Sequence, residues 1–262
     1  MTSPVADILI RNCTSFDELA ACVQIQVAVW GYEDSDIIPR RLFIVARKIG
    51  GQVIGAFDRT KGTSPEGNAS SLVGFAMSLP ALVEGKPYLH SHMLAVLPEY
   101  RNQGLGRSLK LAQREEALSR GIERMEWTFD PLEIKNAYLN IHKLGVMVRT
   151  YIPNFYGVSS SRLQGGLPTD RLLAEWSMSS RRVQAILGGS HSPSPEIRET
   201  IFVPSAIRQW KELPAHRADA LKVQTENRAC FLGAFSRGLA VVGFEKDTEG
   251  NGIFQLGPGV ES

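Results

Sequence analysis

The sequence predicts an α+β protein, and three observations carry that prediction. Short apolar runs of strand type, at 8–11, 53–58, 72–79 and 88–96, cluster together instead of alternating one for one with helices. Amphipathic stretches with clear end signals, following Ser15 and spanning 105–120, punctuate that series. Polar, turn-rich pieces, above all KGTSPEGNAS at 61–70, join neighbouring strands as hairpin loops do.

Taken in order, Ile8-Leu9-Ile10-Arg11 reads as the first strand. Ser15 with Glu18 three residues on is a capping box, and Leu19, Cys22, Val23, Ile25 or Gln26, and Trp30 then recur on one helical face. Pro39 marks a second helix boundary. The runs 53–58 and 72–79 are strands of a hairpin, and 88–96 is a further strand leading into a glycine turn. The helix over 105–120 carries Leu105, Leu109, Ala112 and Leu118 on one stripe, and Gly121 sits where a C′ glycine would end it. A strand is expected at 125–129, then Asp130-Pro131-x-Glu133 opens a helix with Ala137, Ile141 and Leu144 that closes at Gly145. Strands at 146–152 and 171–178 flank a long loop. The stretch GGSHSPSPE at 188–196 has linker composition, which divides the chain into domains 1–187 and 197–262. The second contains an apolar piece at 201–203, a helix over 216–237 and strands at 240–245 and 252–256. At roughly 65 residues it is small for an independent core, so it is expected to dock on the first domain or on a second subunit.

Bulk properties narrow the function. The 262 residues are 43% hydrophobic with a net charge of +2, and the mean hydropathy is −0.10. Charges of both signs are interspersed and no basic run exceeds two residues, which argues against nucleic-acid binding. No segment approaches the ~18 apolar residues of a membrane span. The N-terminus lacks the basic and apolar regions of a signal peptide, so a cytoplasmic protein is expected. Cys13, Cys22 and Cys230 lack metal-ligand spacing and read as buried thiols; no metal is expected.

The stretch MLAVLPEYRNQGLGRS at 93–108 is the most informative. An apolar strand turns at Pro98 into Arg101-x-x-Gly104-x-Gly106 and then a helix. Glycines admit a bulky anion close to the backbone, and a helix start adds free N–H groups and a positive dipole end. A third glycine and an acidic ribose partner are missing for a dinucleotide fold, and no Gly-Lys-Ser/Thr suggests a P-loop. The pattern resembles the (Arg/Gln)-x-x-Gly-x-(Gly/Ala) loop of the GNAT superfamily of N-acyltransferases. That resemblance implies a three-layer α/β/α arrangement around a mixed, mostly antiparallel sheet, with a small C-terminal α/β extension. It implies acetyl-CoA or another acyl-CoA such as succinyl-CoA as cosubstrate. The backbone of Leu94 and Val96 would pair with the pantetheine arm. Arg101, Asn102, Gln103, Gly104, Leu105, Gly106, Arg107 and Ser108 would surround the pyrophosphate, and Asn136 would also contact the cofactor.

Transfer to an amine needs a proton acceptor, and an imidazole has a suitable ordinary pKa. His90 and His92 lie two apart on the strand before the loop, hence on one face. The leaving thiolate needs a proton. GNAT relatives often use a Tyr after the fifth strand, but alignment on Gly145 puts Ile141 there. Asn140 remains as a hydrogen-bond donor to sulfur, and Tyr156, Tyr138 or Tyr151 as phenols from elsewhere. The segments WTFDPL, NAYLNIHKLG, YIPNFYG and DRLLAEW further resemble a GNAT subfamily with a C-terminal extension, often found beside N-succinylamino acid racemases. The acceptor implied is a small-molecule amine, possible amino acids included, and a homodimer is compatible with the resemblance. Arg149, Arg162 and Arg171 are the guanidiniums available for a substrate carboxylate; Asp170 beside Arg171 reads as a structural ion pair. Trp127 and Trp176 read as core aromatics. A second reading is a non-catalytic CoA-binding or assembly module of the same fold.

Overall fold

The computed structural model describes residues 7–33, 35–61, 65–189 and 196–259. The chain forms two compact units, Met1–Glu123 and Arg124–Ser262. The expected α+β class, a largely antiparallel sheet with helices on both faces, is what the structure has.

The first unit contains β1 (Ile8–Asn12), α1 (Phe16–Trp30), α2 (Arg40–Lys48), β2 (Gln52–Asp58), β3 (Leu72–Val83), β4 (Lys86–Val96) and α3 (Leu105–Ser119). Its strands pair in chain order, all antiparallel. The capping box at Ser15 forms as expected. Ser15 Oγ accepts from the Glu18 N–H at 3.1 Å, and the Glu18 carboxylate accepts from Ser15 N at 3.1 Å. Val53 and Phe57 of β2 face a core with Leu19, Cys22 and Ile25 of α1 and Phe43 of α2. Ile54 and Ala56, on the other face, pack with Leu105 and Leu109 of α3. Period-two alternation thus loads both sides of one sheet.

Two register shifts modify that alternation. Ala56 pairs with Gly74 but Phe57 with Leu72, so Val73 is an extra residue in β3. Met77 pairs with Met93 but Ser78 with Ser91, so His92 is an extra residue in β4. The β3–β4 hairpin is longer than its apolar pattern predicted, because its outer arms are only partly buried or exposed. Its two-residue turn, Glu84 and Gly85, has φ of 50° and 74°, as a type I′ connection requires. The expected loop at 61–70 includes a 3₁₀ turn at Ala69–Ser71; residues 62–64 lie outside the described residues.

The second unit contains β5 (Arg124–Phe129), α4 (Ile134–Ala137), a π turn (Tyr138–Lys143), β6 (Met147–Ile152), β7 (Arg171–Ser177), α5 (Arg181–Leu187), β8 (Glu199–Val203), α6 (Ile207–Glu212), α7 (Arg217–Ser236), β9 (Leu239–Lys246) and β10 (Gly252–Pro258). Strands lie in the order β5-β7-β6-β9-β10-β8, with antiparallel neighbours throughout. The expected α-helix after Glu133 is instead one α turn followed by the π turn. The short α5 and α6 carry too few periodic residues to be visible in the sequence. Most of the linker-type stretch, 190–195, lies outside the described residues.

α7 packs through Phe231, whose ring stacks on Tyr151 at 5.6 Å and meets Phe254 edge-on at 5.1 Å. Two buried carboxylates take cations from this region. Asp170 accepts from Arg228 at 2.8 and 2.9 Å, from Tyr151 Oη and from the Asn154 N–H. Asp130 and Glu133 hold Lys211 Nζ at 2.8 and 2.9 Å. The expected Asp170–Arg171 pair is therefore corrected: consecutive extended residues point to opposite faces, and Arg171 donates to the Asp170 carbonyl and to Gln164 Oε1. Trp127 and Trp176 are buried, edge to face at 5.7 Å. Cys13 and Cys22 are buried as expected, but Cys230 is exposed, standing about 100° round α7 from the buried Phe231.

Candidate functional site

In the first unit β4 delivers the chain into a 3₁₀ turn, Pro98–Tyr100, that is fixed from two directions. Leu97 N–H donates to the Val73 carbonyl at 2.9 Å, and the buried Tyr100 donates its hydroxyl to Asp58. Burial pushes the Asp58 carboxyl up, but bonds from Thr60 and Tyr100 win and hold it below its usual range. Tyr100 is an anchor of this turn that sequence reasoning missed; its place in the motif was the available signal.

Beyond Tyr100 the backbone enters the left-handed region at Asn102 (φ 63°) and at Gly104 (φ 82°), the N-cap of α3. Arg101 Nε donates to the Val96 carbonyl at 3.2 Å, and Gln103 Nε2 to the Glu99 carbonyl at 3.0 Å. Arg101 N–H donates to the Pro98 carbonyl at 3.2 Å, and Ser108 N–H to the Gly104 carbonyl at 3.0 Å. Among the described residues, the N–H groups of 103–107 make no backbone hydrogen bond. No acidic residue stands in the first turn of α3, and a Cβ built at Gly104 would meet nothing within 4 Å. Five consecutive donors at a helix start, with open space before them, fit a phosphate group.

His90 and His92 stand side by side on β4, ring centroids 6.2 Å apart. Burial, then the charges of His92 and Lys110, push His90 down to about 4; burial also lowers His92. Both imidazoles are thus neutral at pH 7 and able to accept a proton. The linkage sign follows from the depressed value: below about pH 6.5 the unfolded chain takes up the His90 proton first, so stability falls as pH drops and levels off near 4. The loss should approach about 3 kcal/mol at most. Urea unfolding at pH 7, 5.5 and 4 should show His90→Gln losing that part of the wild-type slope; identical slopes would refute it. Leu94 and Val96 pack partly buried against the α3 side of the sheet.

The remaining candidates belong to the second unit. Asn136 is exposed at the end of α4, and Asn140 is buried in the π turn. Among the described residues the Asn140 side chain makes no hydrogen bond, whereas its carbonyl accepts from the Val146 N–H at 3.1 Å. π turns recur at functional sites because the extra residue re-aims side chains. Tyr138 is stacked on His142 at 4.5 Å with Lys246 over its ring. Tyr151 is committed to Asp170, and burial with that bond pushes its phenol far up. Tyr156, nearly half exposed, shares a hydrogen bond with Thr128 Oγ1 at 2.9 Å and lies under Arg171 at 5.4 Å. Arg149 is tied to Glu175 at 2.7 Å and to the Gly259 carbonyl. Arg171, by contrast, has no carboxylate partner among the described residues. Among the described residues no cluster of three metal-ligating side chains occurs, and no helix is long and apolar enough to cross a membrane.

Comparison with known proteins bears on the fold. A model of the Acetyltransferase (GNAT) family matches residues 24–139. A candidate acetyltransferase from Acinetobacter baylyi ADP1 is 16% identical, with 69% of this chain and 97% of that one covered and a TM-score of 0.53. A chain of the NatC complex bound to Gag peptide and CoA is 13% identical, covering 66% and 99%, with a TM-score of 0.50. At such identities the likeness is one of fold. No curated protein matches. The match of the acetyltransferase (GNAT) family model is thus confined to residues 24–139, and the chain is similar in fold to the acetyltransferase structure compared.

Proposed function

We propose that the protein transfers an acetyl or other short acyl group from acyl-CoA to a primary amine of a small molecule, an amino acid among the candidates. The observation that carries this reading is the run of unpaired N–H groups at 103–107 beside Arg101. Those donors, with the Ser108 hydroxyl and Asn102, would hold the pyrophosphate; the backbone of Leu94 and Val96 and the side chain of Asn136 would hold the pantetheine arm. The cosubstrate supplies an electrophilic thioester carbon. As the N–C bond forms and the C–S bond breaks, the amine gives up a proton and the departing sulfur gains one. Neutral His92 or His90 is the acceptor of the first. Asn140 would hydrogen-bond the sulfur, and the Tyr156 phenol would supply its proton.

A carboxylate on the amine or on a succinyl group would find in Arg171 a guanidinium held by neutral acceptors and without a carboxylate partner among the described residues. On this reading the protein is cytoplasmic, a homodimer is allowed, and 197–262 is an extension to a domain of 1–187, as in the GNAT subfamily found beside N-succinylamino acid racemases.

The test is thermal unfolding with CoA, acetyl-CoA and succinyl-CoA, with ATP as the phosphate control. A ligand at a hundred times its Kd adds about 2.7 kcal/mol, a shift of several degrees. Shifts with the CoA compounds alone are expected, and the largest nominates the acyl group. No shift at millimolar concentration would overturn the cofactor assignment. A CoA-binding module without catalysis would shift equally but would not consume acetyl-CoA when amines are added.

A further inference from the structure

Beneath the two histidines, on the α3 side of the sheet, lies a buried polar chain that the phosphate loop does not use. Ser78 and Ser91 face each other across the β3–β4 ladder at the register shift. Each hydroxyl is tied to a glutamine: Ser78 Oγ donates to Gln52 Oε1 at 3.0 Å, and Ser91 Oγ to Gln113 Oε1 at 3.0 Å. Gln52 Nε2 donates to the Gln113 carbonyl at 2.8 Å, linking the two halves. Lys110 Nζ donates to Ser91 Oγ at 2.6 Å. All five residues are at least 96% buried. Gln113 Nε2 is buried with no acceptor among the described residues, and burial pushes the Lys110 ammonium well down.

Such a group of polar atoms between a helix and a sheet costs stability that an apolar packing would not. What it adds is direction, since hydrogen bonds fix an angle and apolar contacts do not. Ser91 is the residue between His90 and His92, at the point where the extra residue disrupts the ladder. Lys110 and Gln113 lie within the first three turns of the helix whose start is the phosphate loop. One rigid element therefore carries the loop at its end and grips the histidine strand with its side.

We propose that Ser91, Lys110 and Gln113 are positioning residues that fix His90 and His92 on β4 relative to the phosphate loop. The catalytic part of this rests on the acyltransferase reading; the structural part does not. Two readouts separate them. In acyl transfer from acetyl-CoA, Ser91→Ala and Lys110→Met should lower kcat about tenfold to a hundredfold, the scale of a small misplacement of reacting groups. KM for acetyl-CoA should stay within about twofold. Ser91→Thr, which keeps the hydroxyl, should recover most of the rate. In nitrogen-15 NMR of the histidine rings, the His90 and His92 signals should move in Ser91→Ala and Lys110→Met, with Tm near wild type. Gln113→Leu serves as the third variant if either of the others fails to fold. Wild-type kcat in the folded variants would overturn the catalytic part. Unmoved ring signals would overturn the whole proposal, even if the wild type turned over no amine at all.

Discussion

Gly104→Glu should abolish the stabilisation of this protein by CoA compounds while leaving it folded. Gly104 is the N-cap of α3 at φ 82°, a conformation that costs an L-residue about 1–2 kcal/mol. A Cβ there would meet nothing within 4 Å, so the new side chain leaves the backbone without a clash. Its carboxylate would stand among the donors of 103–107, where the phosphate reading places an anion of the same sign as its own. The two effects differ in kind. The backbone cost lowers the ligand-free Tm by a few degrees, whereas charge occupation removes the entire ligand shift, about 2.7 kcal/mol at a hundred times Kd. Gly104→Ala is the control, with the backbone cost and no charge. If Gly104→Glu still shifted fully with acetyl-CoA, the pyrophosphate would have to be held elsewhere.

Arg228→Met is expected to destabilise the protein by roughly 3 kcal/mol, the low end of what loss of one partner costs a buried pair. Asp170 is completely buried and would retain Tyr151 and the Asn154 N–H but lose two charged donors. The low end applies because the Arg228 side chain is itself 30% exposed. The second change Asp170→Asn removes the orphaned charge, so the double variant should regain much of the loss. Urea unfolding of the two single variants and the double measures this directly. A double variant as unstable as Arg228→Met would mean that shape, not charge, makes the 170–228 contact.

Much of this protein was legible in its residues where the determining interactions are local. The box at Ser15, the boundary at Pro39 and the glycine turn at 104–106 each act within a few residues, and each formed as read. The Asp170–Arg228 pair spans 58 positions, and no spacing rule reaches that far. The bulge at His92 was invisible for another reason. Alternation of buried and exposed residues runs unbroken through β4, and only the partner strand shows that one residue is extra. Tyr138–Lys143 has ordinary helical composition, so nothing distinguished a π turn from an α turn there. Arg149 and Arg171 looked equivalent in the sequence, and only the position of Glu175 gives Arg149 a carboxylate where Arg171 has the Asp170 carbonyl and Gln164 Oε1.

The π turn also records how this segment tolerates length change. Six residues cover a stretch that a regular helix would cover with one fewer, so the turn behaves as a one-residue insertion absorbed in place. Removing a residue there would let the chain continue as a regular α-helix with the later side chains kept on their faces. Only residues within the turn, Asn140 and Ile141 among them, would be re-aimed, and the reversal at Gly145, φ 77°, would keep its side. Sequence alignments of related chains across 134–145 are therefore prone to a one-position phase error, and roles assigned by aligning on Gly145 carry that offset with them.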